Sequence, residues 1–146
     1  MTETPDRTAA RSQRWLRAFA YGLLAEAATI VTIIIVVVGY KTAVAPGLSD
    51  EQYASFGERA GGVLGLTAGT IYTFLFARSL MPRLSGRFVE HGLVVAVAAV
   101  AFSVTGSIVG HHGVPNAYII ASALKLAAGA LAGFLFARSG RAGATV

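Results

Sequence analysis

The chain has 146 residues, 55% hydrophobic and 13% charged, with a net charge of +5 and no cysteine. A soluble domain usually carries about 25% charged residues, so this chain has too little polar surface to be read as water-soluble. The missing cysteines exclude a disulfide framework, a thiolate metal site and a thiol nucleophile.

Four apolar segments follow one another along the chain, at about residues 18–40, 60–80, 88–110 and 114–137. Each is long enough to cross a bilayer core, which takes roughly 20 helical residues. The first contains TIVTIIIVVVGY, a β-branched run that would read as a strand in water. In hydrocarbon every backbone amide must be paired within the protein, so the run is expected to be helical. It is also longer than the roughly 7–15 residues of a secretory signal core. Pro46 follows directly on the Ala43-Val44-Ala45 triplet, which argues against cleavage there. We therefore expect the segment to be retained as a membrane span. Beyond Pro46-Gly47, the run Ser49-Asp50-Glu51-Gln52 fits a capping box, with Leu48 and Tyr53 placed as a hydrophobic staple. Helix should begin near Asp50. It either lies in the membrane interface on Tyr53 and Phe56 or runs on into the second span, with Gly57 or Gly61-Gly62 available for a bend.

The second and fourth segments share a sequence. FLFARS ends both, at residues 74–79 and 134–139, and residues 61–79 match residues 121–139 at ten of nineteen positions. The first and third segments match more weakly, with Gly22-Leu23 against Gly92-Leu93. A two-helix unit crosses the membrane twice and so keeps its orientation when copied, which gives a parallel internal repeat. The expected fold is all-α: four transmembrane helices in an antiparallel up-down bundle built from two repeated hairpins, about residues 15–80 and 85–140. Residues 1–146 form one domain in this reading, with flexible tails at 1–14 and 140–146.

Arginine placement gives an orientation. Arg7, Arg11, Arg14 and Arg17 precede the first span, Arg78, Arg83 and Arg87 separate the second from the third, and Arg138 and Arg141 follow the fourth. With four alternating spans all of these lie on one side, the cytoplasmic one by the bias of inner loops toward Lys and Arg. Both termini are then cytoplasmic and the membrane is the plasma membrane. Arg17, Arg78, Arg87 and Arg138 are the expected interface anchors. The same spread along one membrane face accounts for the positive charge without a nucleic-acid partner, since a nucleic-acid surface would cluster it.

Inside the spans, Gly61, Gly65 and Gly69 recur at four-residue spacing, as do Gly129 and Gly133. Small residues so placed let helix backbones approach closely, within one chain or between copies. Two charges stand against this apolar background. Glu26 lies roughly 13 Å beyond Arg17, and Lys125 roughly 20 Å before Arg138, at ~1.5 Å per helical residue. Facing lipid, each would cost about 2.5–3.5 kcal/mol. The first and fourth helices of an up-down bundle are neighbours, so Glu26 is expected to pair with Lys125. Gly22 and Thr29 share the face of Glu26, and Ala121, Ser122, Ala128 and Gly129 that of Lys125. Lys125 aligns with Gly65 in the repeat, so the copied scaffold does not demand the charge.

The remaining polar groups read as ordinary. Glu90-His91 opens the third span, where Glu90 can meet Arg87 and both are expected to be solvated. His111-His112 lies in a turn and, without further ligands, is a poor metal signature. Thr67, Thr70 and Thr73 can return their hydroxyls to their own helix. No P-loop, HExxH, nucleophile elbow or dinucleotide fingerprint occurs. The sequence therefore predicts a non-enzymatic protein without cofactor or metal. Its partners would be the lipid bilayer and itself as a homo-oligomer, or another membrane protein that it serves as an accessory subunit. The alternative is a small proton- or ion-coupled transporter or channel for a small ion or solute, with Glu26 as coupling carboxylate and Lys125 as its charge partner.

Overall fold

The computed structural model describes residues 7–109 and 116–142. Four helices carry the chain: α1 (Arg7–Gly39), α2 (Asp50–Leu80), α3 (Phe88–Val109) and α4 (Asn116–Ala142). All four are long and apolar enough to cross a membrane, and no strand occurs among the described residues. The β-branched run of α1 is helical throughout. Helix starts at Arg7, so residues 7–14 of the expected tail continue α1, and α4 likewise runs past residue 140 to Ala142.

α1 ends in a π turn, Tyr40–Val44, and the chain reverses through Gly47, whose φ of +90° favours a residue without Cβ. Ser49 then caps α2. Its hydroxyl accepts from the Gln52 amide at 3.3 Å, and the Gln52 side chain accepts from the Ser49 amide at 3.0 Å. α2 runs unbroken from Asp50 into the second span, so no separate interfacial helix forms. Tyr53 also ties the loop down: its hydroxyl donates to the Ala45 carbonyl at 2.7 Å and accepts from the Leu48 amide at 3.1 Å. At the other end Met81–Arg83 forms one 3-10 turn, and Gly86 (φ +118°) and Arg87 (φ +53°) turn the chain into α3.

Helix packing departs from the expected neighbour order. α1 packs on α2 and α3, while α4 packs on α3 and α2; α1 and α4 face each other across the bundle. Small residues account for this. A Cβ on Gly22 of α1 would overlap the Val95 carbonyl of α3, and Cβ atoms on Gly92, Gly129 and Gly133 would overlap backbone across the α3–α4 contact. Backbones this close are available only where side chains are absent, and such packing takes over from the hydrophobic effect between helices in lipid.

The core lies at the arginine-rich end, where Ala18, Ala77, Leu80, Met81, Leu84, Val95 and Ala132 are buried together. The two FLFARS copies sit there and make matching contacts. Ser79 and Ser139 donate to the carbonyls of Phe76 and Phe136 at 2.9 and 3.0 Å. Phe76 meets Tyr21 of α1 edge-on, and Phe136 meets Phe88 of α3 edge-on.

Candidate functional site: a buried charge cluster

Each of the four helices brings one residue to the middle of the bundle. Glu26 comes from α1, Gly69 from α2, Ser103 from α3 and Lys125 from α4. Glu26 and Lys125 are only 6% and 3% exposed. The Lys125 ammonium donates to Glu26 Oε2 at 2.6 Å and to Ser103 Oγ at 3.0 Å. Ser103 in turn donates to Glu26 Oε1. Both carboxylate oxygens thus accept a charge-assisted or hydroxyl hydrogen bond, which is the condition for holding a charge away from water.

The surroundings explain how two charges on opposite helices can touch. Gly69 leaves space for the lysine stem: a Cβ there would come 2.8 Å from Lys125 Cε. Thr29, one turn beyond Glu26, is buried but donates its hydroxyl to the Ala25 carbonyl at 2.9 Å, so it leaves the ion pair alone. Thr67, Thr70 and Thr73 do the same on α2, to Val63, Leu66 and Gly69. Ala128 and Gly129, on the Lys125 face, are buried, whereas Ala121 and Ser122 are partly exposed. The cluster is therefore three side chains in a ring of backbone-satisfied or apolar neighbours.

Ser103 is the member that sequence reasoning missed. In the frame that sets Gly92 on Gly22 it falls opposite Ile33, and it has no charge to draw attention. The available signal was its place on the small-residue stripe Val95, Ala99, Ser103, Ser107, four residues apart on α3.

The remaining residues singled out in the sequence fall elsewhere. Gly69, Gly129 and Gly133 sit in close packing, but nothing lies within 4 Å of a Cβ placed on Gly61 or Gly65. Arg17 and Arg138 are exposed. Arg78 lies over the Phe136 ring at 5.2 Å, and Arg87 pairs with Glu90 at 3.4 Å. His91 is not solvated as expected. It is 5% exposed, stacks on Trp15 of α1 at 4.3 Å, and its Nδ1 lies 2.9 Å from the Arg87 carbonyl. A carbonyl only accepts, so Nδ1 carries a proton, and Nε2 is buried without a partner among the described residues. The reason is length: α1 extends toward its N-terminus beyond the start of α3 and lays Trp15 over the imidazole. His111-His112 lies outside the described residues. Among the described residues no group of three metal-ligating side chains forms.

Compared with protein-family models, curated proteins and solved structures, the chain shows no match. Geometry and chemistry alone support the functional reading.

Proposed function

We propose that this is a small multi-pass protein of the plasma membrane, with both termini cytoplasmic, that acts by helix packing as a homo-oligomer or as an accessory subunit of a membrane complex. It has no catalytic role of its own and needs no cofactor in this reading. The two hairpins are copies of one unit in an up-down arrangement, and the Glu26–Lys125 pair locks their register. The observation that carries this reading is the closed bonding of the pair at 2.6 Å. An ion pair satisfied by a third side chain, with threonines turned back on their own helices, offers no open position to a substrate. What the chain presents outward is apolar helix surface, including Ile34, Ile35, Val63, Ile71 and Val97.

A second reading has one observation in its favour. Ser103 gives the Lys125 ammonium another acceptor, so Glu26 can take up a proton without stranding the lysine. That is the requirement for a proton- or ion-coupled transporter using Glu26 and Lys125.

The experiment separates the two. In the lock reading, Lys125→Met strands a buried carboxylate and lowers stability in detergent by about 3–5 kcal/mol. The double variant Glu26→Gln with Lys125→Met recovers most of that loss. Liposomes loaded with a pH-sensitive dye show no proton flux with either the natural chain or Glu26→Gln. Flux that the natural chain supports and Glu26→Gln abolishes would overturn the packing reading and establish the transport one.

A further inference from the structure

A cavity of about 560 Å³ opens at the arginine-rich end, between the start of α3 and the end of α4. Its walls are Phe88, Val89, Phe136 and Ala137, and its rim carries Arg87 and Glu90. The repeat explains why none of the described helices fills it. In the frame that aligns Gly22-Leu23 with Gly92-Leu93, Phe88 corresponds to Ala18. Residues 7–17 of α1 therefore have no helical counterpart in front of α3, which begins abruptly after the left-handed turn at Gly86 and Arg87.

The geometry points to a binding site for one anionic phospholipid in this groove, with its phosphate at Arg87 and an acyl chain along Phe88, Val89 and Phe136. Three observations converge on that occupant. The groove lies at the ends of two candidate spans, Phe88–Val109 and Tyr118–Ser139, at the level where headgroups meet hydrocarbon. Its floor is apolar and its rim carries Arg87, paired with Glu90, at the end of the bundle where Arg14, Arg17, Arg83 and Arg138 also lie, so an acidic headgroup meets a basic surface there. Behind the Phe136 wall, the Arg78 guanidinium sits 5.2 Å from the ring, and its Nη1 is buried without an acceptor among the described residues. Glu90 opposes an anion at the same rim and holds Arg87 at 3.4 Å, with both side chains about half exposed. Releasing that contact frees the guanidinium for a phosphate.

Native mass spectrometry of the protein taken from mixed phosphatidylglycerol–phosphatidylcholine vesicles tests the site. The natural chain retains phosphatidylglycerol in preference to phosphatidylcholine. Arg87→Gln cuts that preference about fivefold, and Glu90→Gln raises it. Ala137→Trp, which fills the groove, reduces retention of both lipids. Arg17→Gln removes an exposed cation at the same end but outside the groove and leaves the preference unchanged. Equal retention of the two lipids overturns the proposal. So does an equal effect of Arg17→Gln and Arg87→Gln, which would make the attraction a property of the whole basic face. Inorganic phosphate that raises the melting temperature as much as phosphatidylglycerol does would make the site an anion site, not a lipid one, and would also overturn it.

Discussion

The two ends of the bundle, on either side of the Glu26–Lys125 level, are built on different principles. Toward the arginine-rich end, contacts within each hairpin are joined by contacts from one hairpin to the other. Trp15 stacks on His91, Arg78 lies over Phe136, and Gly22 admits the backbone of α3. Toward the opposite end, the contacts described hold α1 to α2 within one hairpin. Tyr40 stacks on Phe56 at 3.7 Å, and Lys41 stands 4.0 Å from Asp50. Beyond the charge pair in that direction, Thr29, Tyr53 and Ser107 are the buried polar or aromatic side chains, and no large aliphatic one is buried among the described residues. The lesson concerns glycine. The same residue type at the same spacing packs helices together at one end, while a Cβ on Gly61 or Gly65 at the other meets no atom within 4 Å among the described residues. What decides is whether a second backbone is there to meet it.

Substitution of single glycines breaks this comparison most directly. Gly92→Ala or Gly129→Ala puts a methyl group into a facing carbonyl and forces α3 and α4 apart. Overpacking of this kind costs about 1–3 kcal/mol, which denaturant unfolding in micelles would register. Gly61→Ala or Gly65→Ala meets no atom within 4 Å, and its effect on the same measurement stays within about 0.5 kcal/mol. Equal losses at Gly65 and Gly129 would remove the distinction between the two ends. Should Gly65→Ala leave the monomer intact but change the oligomeric state, its open face is the contact between copies.

How far the sequence could be read follows from the same physics. Four helices were legible because length and hydropathy alone demand them in hydrocarbon. The capping box at Ser49 was legible because its chemistry is local. Neighbour order was not, since an up-down rule for bundles says nothing about which backbones glycine lets touch. Glu26 and Lys125 do meet, but across the bundle and not between adjacent helices. The expectation of a pair came from the cost of isolated charges in lipid, which holds whatever the order. Ser103 was passed over, and His91 was read as solvated, for one reason. Their surroundings depend on how far one helix overlaps another, and a seryl or histidyl side chain carries no periodic mark of that overlap.

The aromatic stacks sharpen the comparison at a smaller scale. An aromatic pair contributes about 0.5–1.5 kcal/mol beyond its burial. Trp15→Leu removes the stack that ties α1 to α3 and lowers global stability by an amount in that range. Phe56→Leu removes a stack of similar geometry within the first hairpin. Its effect is expected to be local, seen as faster amide exchange at the end of α1 and the start of α2 with little change in the unfolding midpoint. Trp15 is the one tryptophan of the chain, so a second tryptophan at position 56 would report that local opening separately. If Phe56→Leu shifts the midpoint as far as Trp15→Leu does, both ends contribute equally to cohesion.

The smallest effect concerns Tyr72. Side chains on a helix lean toward its N-terminus, so Tyr72 of α2 reaches toward the loop end and meets Thr32 of α1 at 3.0 Å. The Thr32 proton is already given to the Ala28 carbonyl at 2.9 Å. Tyr72 is therefore the donor in the bond between the helices, and Thr32 both accepts and donates. Interhelical hydrogen bonds in membranes average about 0.6 kcal/mol, because the separated helices find other partners. Tyr72→Phe keeps the ring and should cost about that much. Thr32→Val removes the acceptor and also frees the Ala28 carbonyl, which stays bonded within its helix. The two single losses and the double variant should then coincide, since each removes the same bond. A Thr32→Val loss well above that of Tyr72→Phe would mean that the threonine stabilises α1 itself, and that the loop end is held by its helices one at a time instead of by their pairing.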